Sequence, residues 1–253
     1  MAKVWAIADL HLSFGLFGKS MDVFGERWEN HVEKLYEGWI SCVGEEDLVL
    51  VPGDISWAMQ LEEVKPDLEW MAELPGTKLL LRGNHDYWWS SLSKISQVLP
   101  PSVHIIQNNA FYWNEVAIGG ARLWDSWEYR FGNYIQASEM PIEGVNLVED
   151  HSSPEQREKI FLRELERLRL SLRAMTKKAK KRIAMTHYPP IGVDLKASRA
   201  SELFEEYEVA QVVFGHLHNV VHDHDPLFGV RNGVHYQLVA ADYLNFRPLL
   251  ICS

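Results

Sequence analysis

Side chains that can give lone pairs to a cation gather where five apolar runs of this chain end. Asp9-Leu10-His11 closes the first run and Gly53-Asp54 the second. Gly83-Asn84-His85-Asp86 closes the third, Thr186-His187 the fourth and Gly215-His216-Leu217-His218 the fifth. Oxygen and nitrogen donors without sulfur suit a divalent ion such as Mn, Fe or Zn. Asp9 and His11 are two residues apart, as are His216 and His218, so on an extended backbone each pair shares one face. Gly53, Gly83 and Gly215 each precede a candidate ligand, where a missing Cβ lets backbone approach an ion. Taken singly, each signal has a plainer explanation. A lone His beside an apolar run is more often a hydrogen-bonded core or rim residue, and a strand-terminal Asp more often a helix N-cap. Five such blocks in succession, three of them led by glycine, point instead to one metal site. His31, His104, His151 and His235 have no such setting.

The elements that must position these residues read as an α/β chain. "KVWAIA" (3–8), "DLVLVP" (47–52) and "TKLLLR" (77–82) read as strands buried on both faces. Between them, 27–43 and 61–73 read as amphipathic helices, the second irregular around Pro66, and a third helix is expected at 88–98. Alternating strands and helices imply a parallel sheet, with ligands outside the carboxyl ends of the strands. Short strands "VHII", "AFYW" and "VAIGG" follow between 102 and 120, joined by Asn-rich turns. Residues 121–153 are irregular, polar and too aromatic for a disordered loop. Ser153-Pro154-Glu155-Gln156 opens a long helix with a capping box, running to about 179. Its terminal "KKAKKR" reads as lysines complementing a helix C-terminus rather than as a nucleic-acid patch. Strands are expected at 181–187, 209–218, 234–240 and 247–252, with antiparallel pairing after 215. The whole, 1–253, reads as a single domain with one variable insert at about 121–180.

Composition excludes several classes of function. At 47% hydrophobic and 24% charged, the 253 residues describe an ordinary globular core. No apolar stretch approaches the ~18 residues of a membrane span, and the N-terminus enters a strand without a cleavage region. The only two cysteines, Cys42 and Cys252, make no disulfide framework, so a reducing cytoplasm is the expected location. A net charge of −10 disfavours nucleic acid and anionic membranes as partners, although a metal can make one cleft locally positive.

The ordered series D-x-H, G-D, G-N-H-D, H, G-H-x-H resembles the calcineurin-like metallophosphoesterases over about residues 3 to 220. The resemblance implies two packed mixed β-sheets flanked by helices on both outer faces. It implies that Asp9, His11 and His218 hold one divalent metal ion and Asn84, His187 and His216 a second. Asp54 and a hydroxide would bridge the two. The implied reaction is hydrolysis of a phosphate ester by that hydroxide, with His85 facing the substrate as general acid. Two ions less two carboxylates and a hydroxide leave net positive charge for the phosphate. Asp86 either orients His85 or caps the helix expected at 88.

The substrate is less legible. Trp57, Tyr87, Trp124 and Tyr188 follow ligand blocks or lie in the insert, and are candidates to line the cleft; each could instead pack the insert on the sheets. Trp88, Trp89 and Trp127 pose the same question. Arg122 could hold a phosphate or carboxylate, whereas Arg130 reads as a surface charge. His222 and His224 read as part of a turn before Pro226. Relatives that act on phosphoproteins carry Arg in an extended GDxVDRG block, where this chain has "GDISWAM". Relatives that cleave a UDP-linked lipid have Arg where His85 stands, and nuclease relatives carry capping domains. The expected substrate is thus a small-molecule mono- or diester, such as a nucleotide. The alternative, a catalytically silent interaction module, sits poorly with a full set of ligand positions, and a nuclease sits poorly with the charge. The resemblance is also compatible with a homodimer.

Overall fold

Alternation along the strands decides which layer each side chain enters. In β1 (Val4–Ala6), Val4 and Ala6 face one way and Trp5 the other; in β2 (Leu48–Pro52), Leu48 and Leu50 oppose Val49 and Val51. Leu79 and Leu81 of β3 (Thr77–Leu81) oppose Leu80 in the same way. The first set meets Ile118, Ile183, Met185 and Val213 of a second sheet in a core between the sheets. The second set packs under helices.

The computed structural model describes residues 2–136, 153–175, 179–221 and 226–253. One sheet has the order β11-β1-β2-β3-β4, with β4 at Val103–Ile106 and β11 at Leu249–Cys252; β1 to β4 run parallel and β11 runs antiparallel to β1. The other has the order β5-β6-β7-β8-β10-β9. Its strands are β5 (Phe111–Trp113), β6 (Val116–Gly120), β7 (Lys181–Thr186), β8 (Gln211–Phe214), β9 (Val230–Arg231) and β10 (Val234–Leu238). Helices α1 (His31–Ile40) and α2 (Leu61–Glu73) cover the first sheet with Leu35, Trp39, Val64, Leu68 and Met71. Helices α4 (Pro154–Ala174) and α5 (Arg199–Glu206) cover the second with Phe161, Leu165, Leu168, Leu203 and Phe204. The result is the expected pair of mixed sheets between helical layers.

Three expectations about elements need correction. The helix expected at 88–98 is only α3 (Leu92–Ile95), because Trp88 and Trp89 are buried in a tight turn anchored on Asp86. The long helix ends at Ala174, where the Met175 N–H turns back to Leu172 O; Lys177 and Lys178 lie outside the described residues, as do His222 and His224. After 215, β9 with β10 and β11 with β1 pair antiparallel as expected, but β10 joins β8 in parallel, because β9 takes the sheet edge and the chain turns back from it into the place beside β8. Among the described residues, no helix is long and apolar enough to cross a membrane.

Candidate metal centre

Every candidate ligand sits past a strand end, in the loop that follows. β1 stops at Ala6, β2 at Pro52, β3 at Leu81, β7 at Thr186 and β8 at Phe214. Strand alternation therefore does not pair Asp9 with His11 or His216 with His218. Asp9, His11, Asp54 and His216 instead take left-handed backbone, with φ of 61°, 47°, 51° and 73°. Non-glycine residues rarely adopt that region, and their concentration here turns four side chains toward one point. All three glycines expected to allow close approach do so: a Cβ on Gly53 would strike the His187 ring and the Gly83 backbone. A Cβ on Gly83 would strike the Asp54 carboxylate and backbone, and one on Gly215 would strike the Asp9 carboxylate.

The donors form two groups. Ligand atoms of Asp9, His11 and His218 lie within 4.8 Å of one another, as do those of Asp9, Asp54 and His187. Asn84 Oδ1 is 2.5 Å from His187 Nε2 and 3.0 Å from His216 Nδ1, which adds Asn84 and His216 to the second group. Asp54 stands between the groups, one oxygen 3.8 Å from His11 Nε2 and the other 3.5 Å from His187 Nε2.

The chemistry of these contacts fits a bound cation. His187 Nδ1 lies 3.2 Å from Pro52 O, an acceptor, so Nδ1 carries the hydrogen. Burial holds the imidazole pKa well below its ordinary value, so the ring is neutral and Nε2 offers a lone pair. That lone pair faces the Asn84 side-chain oxygen, and a cation bound by both atoms would satisfy the two acceptors. On the other side, His218 Nδ1 donates to Asp242 Oδ1 at 2.9 Å, and its Nε2 faces His11 Nε2 at 3.4 Å.

Burial dominates the electrostatics. It lowers His11 strongly and His216 to about 3, with His218 adding to both, so these rings are neutral at pH 7. It raises Asp9 to about 7 and Asp54 well above the carboxylate range, the latter helped by Asp9. His218 moves the other way: burial opposes its charge, but Asp242, Asp9 and Asp54 lift it to about 9. Without cations Asp9 titrates near neutrality, Asp54 favours its protonated form and His218 its charged form, and metal ions would displace protons from the cluster.

His85 lies at the edge. Its backbone N–H donates to Asp54 Oδ1 at 2.9 Å, its Nε2 is 4.0 Å from Asp54 Oδ2, and its Nδ1 is buried without a partner among the described residues. Burial, with His218 and Lys19 adding, pushes its pKa down to about 4. Asp86 fills neither role expected of it. It accepts from Ile55 N, Ser56 N, Gly83 N and Trp88 Nε1, tying the loop after β2 to the loop after β3.

The expected lining residues divide. Trp57 stacks on His11 at 5.0 Å and lies 4.5 Å from the His85 ring, walling a notch of about 110 Å³ with Met21, Phe24, Trp28 and His218. Tyr87 is exposed, 6.3 Å from the His85 ring, and does not line the notch. Tyr188 lies 4.1 Å from the His216 ring and 5.0 Å from Trp124, and both line a cavity of about 500 Å³ on the opposite side. Arg122 does not turn into the cluster: its guanidinium lies over Trp124 and pairs with Glu164 at 3.6 Å. Trp88 and Trp89 are core, and Trp127 is exposed beneath Arg199. Arg130 is held by the carbonyls of Ser126 and Tyr129.

Two residues were not foreseen. Asp242, fully buried, holds His218 and the Asn219 N–H, and Trp28 stands edge-on to His11 and His218. The same signal, a carboxylate closing an apolar run, marks Asp242 in "QLVAAD".

Comparison with known proteins agrees with this architecture. Gene 66 protein of Mycobacterium phage D29 is 35% identical over 86 residues, 34% of this chain and 41% of that protein. Gene 66 protein of Mycobacterium phage L5 is 33% identical over the same shares. The match thus spans 41% of the length of these phage proteins. Phosphopantetheinyl hydrolase (PptH) from Mycobacterium tuberculosis superposes with a TM-score of 0.56 at 17% identity, covering 99% of this chain and 96% of that one. Purple acid phosphatase PPD1 from yellow lupin gives 0.50 at 13% identity, covering 100% of this chain and 45% of that one. These two likenesses are of fold. Residues 2–220 match the model of the calcineurin-like phosphoesterases, a stretch that runs through all five loops bearing candidate ligands. The chain belongs to that family of calcineurin-like phosphoesterases.

Proposed function

We propose that the protein hydrolyses a phosphate monoester or diester of a small molecule, such as a nucleotide, at a centre of two divalent ions. One observation carries this reading: Asp54 stands between a donor group of Asp9, His11 and His218 and a second of Asn84, His187 and His216. Bound ions would supply positive charge for the phosphate and an activated water for attack at phosphorus. The chain's own residues do the rest. Asn84, a neutral oxygen donor, adds no negative charge to repel an anionic substrate. His85 Nε2 delivers a proton to the leaving oxygen, and an arriving phosphate dianion favours the protonated ring it needs. Trp57 and Trp28 wall the notch beside His85, where they exclude water and receive an apolar leaving group. Nitrogen and oxygen donors are in keeping with Mn, Fe or Zn. The free thiols Cys42 and Cys252 are in keeping with a reducing cytoplasm.

The test is turnover of p-nitrophenyl phosphate and bis-p-nitrophenyl phosphate by manganese-loaded protein, with Asp54→Asn as the blank. Activity that disappears in the variant is expected, and the ratio of the two rates decides between monoester and diester. Two bound metals with no turnover of either compound would count against this reading.

A further inference from the structure

A third cavity, of about 300 Å³, opens beyond the candidate ligands, where strands from both sheets end together. Arg82 enters it from the end of β3, Gln107 and Asn108 from the end of β4, Arg122 from the end of β6, and Arg167 from α4. The carboxyl ends of parallel strands are where α/β sheets bind ligands, and here three of them share one opening.

Charge in this cavity is unbalanced. Glu164, 2% exposed, is the one carboxylate among the described lining residues; the lining Arg122 and Arg167 turn to the same oxygen of it at 3.6 and 2.7 Å, and the exposed Arg163 reaches that oxygen from outside the cavity at 3.6 Å. Arg82 adds a fourth guanidinium, close enough to disfavour the charge of Arg122, and has no hydrogen bond or ion pair among the described residues. The Nε–H groups of Arg82 and Arg122 are both buried without an acceptor among the described residues. One carboxylate cannot satisfy four planar forks, and each fork matches two oxygens of an oxyanion.

We propose that this cavity binds an oxyanion of phosphate size on Arg82, Arg122 and Arg167, at a site distinct from the metal centre. The inference does not rest on the phosphoesterase chemistry, because none of these guanidiniums belongs to the ligand cluster. The volume leaves room for the anion together with several waters. A covalently linked second anionic group of the substrate and a free inorganic anion present the same oxygens to the arginines.

Calorimetric titration of the manganese-loaded full chain with inorganic sulfate tests this. One saturable site is expected, its affinity falling about tenfold or more in Arg82→Gln, the effect of losing one charge-assisted pair, and unmoved in Asp54→Asn. Arg167→Gln, on the half-exposed face of α4, is the second variant and should weaken binding in the same sense should Arg82→Gln not fold. Absence of saturable binding, or an affinity that survives the arginine variants, would overturn the proposal. So would an affinity lost only in Asp54→Asn, which would put the sulfate on the metal centre. Rates on p-nitrophenyl phosphate and on a doubly phosphorylated substrate, each with and without sulfate, then assign the source of the anion. A sulfate effect that disappears in Arg167→Gln marks a free effector, whereas inhibition confined to doubly phosphorylated substrates marks a second group of the substrate.

Discussion

Asp9, His11, Asp54 and His216 hold a backbone conformation that costs an L-residue about 1–2 kcal/mol each. Such strain persists only where surrounding structure holds it, and here hydrogen bonds do: His11 N donates to Asp54 O, and His216 N to the Asp9 carboxylate. His85 stands outside this arrangement, offering no contact that a metal needs. His85→Ala should therefore lower turnover by ~10²–10⁴ while metal content, measured by elemental analysis, stays at the wild-type level. Loss of metal in the purified variant would show that His85 is a ligand. Asp242 has the converse role. It orients His218 through Nδ1 while holding Asn219 N–H, and an amide could accept only one of those bonds. Asp242→Asn should weaken manganese binding by about 10–100-fold, read by equilibrium titration, although residue 242 touches no candidate ion.

At the scale of elements, loops rather than strands carry the site, and other loops and helices hold them. Helix α2 does this through Asp67, fully buried, which accepts from Phe14 N at 2.7 Å and from the Ser56 hydroxyl. It thereby joins the loop after β1 to the loop after β2, two residues beyond Asp54. Burial raises the Asp67 carboxyl from 3.8 to about 6, against the pull of its two hydrogen bonds. A raised folded value means that the fold binds the proton more tightly than the unfolded chain does. This group therefore costs nothing below about pH 4, and costs increasingly as pH rises through about 6, to the order of 2–3 kcal/mol. Asp67→Asn removes that ionisation but keeps only one of the two acceptor oxygens, so its stability relative to wild type should be higher at pH 8 than at pH 4 by about 2–3 kcal/mol. Chemical denaturation at the two pH values checks it, and a difference independent of pH would refute it. The strands at 47–52 and 77–82 are legible in the sequence because burial on both faces leaves unbroken apolar runs. The helix at 88–98 is not, because Trp88 and Trp89 satisfy a helical period equally well while packing a turn.

Across the whole molecule, the two sheets bring together loops that are 207 residues apart, as in the pairing of His11 with His218. Ions that bind this assembled cluster and not the unfolded chain must stabilise the fold by mass action. At a hundredfold excess over the dissociation constant that is about 2.7 kcal/mol, or roughly 5–10 °C of melting temperature for a chain of this size. Manganese should raise the Tm and a chelator lower it by that order, and Asp54→Asn should flatten the dependence. A melting curve indifferent to both would argue against a cation in the cluster. The sequence by itself determined the donor types, their order, the glycines before them and the α/β character. Those depend on local chemistry: which atoms offer lone pairs, and where an apolar run must stop. Only the tertiary structure decided that Asp9 and His11 converge through left-handed turns, that β10 returns parallel to β8 and that Asp242 backs His218. It alone placed Arg82, Arg122 and Arg167 around one cavity. Each of these depends on two distant segments meeting at the end of a sheet, and no spacing along the chain encodes that distance.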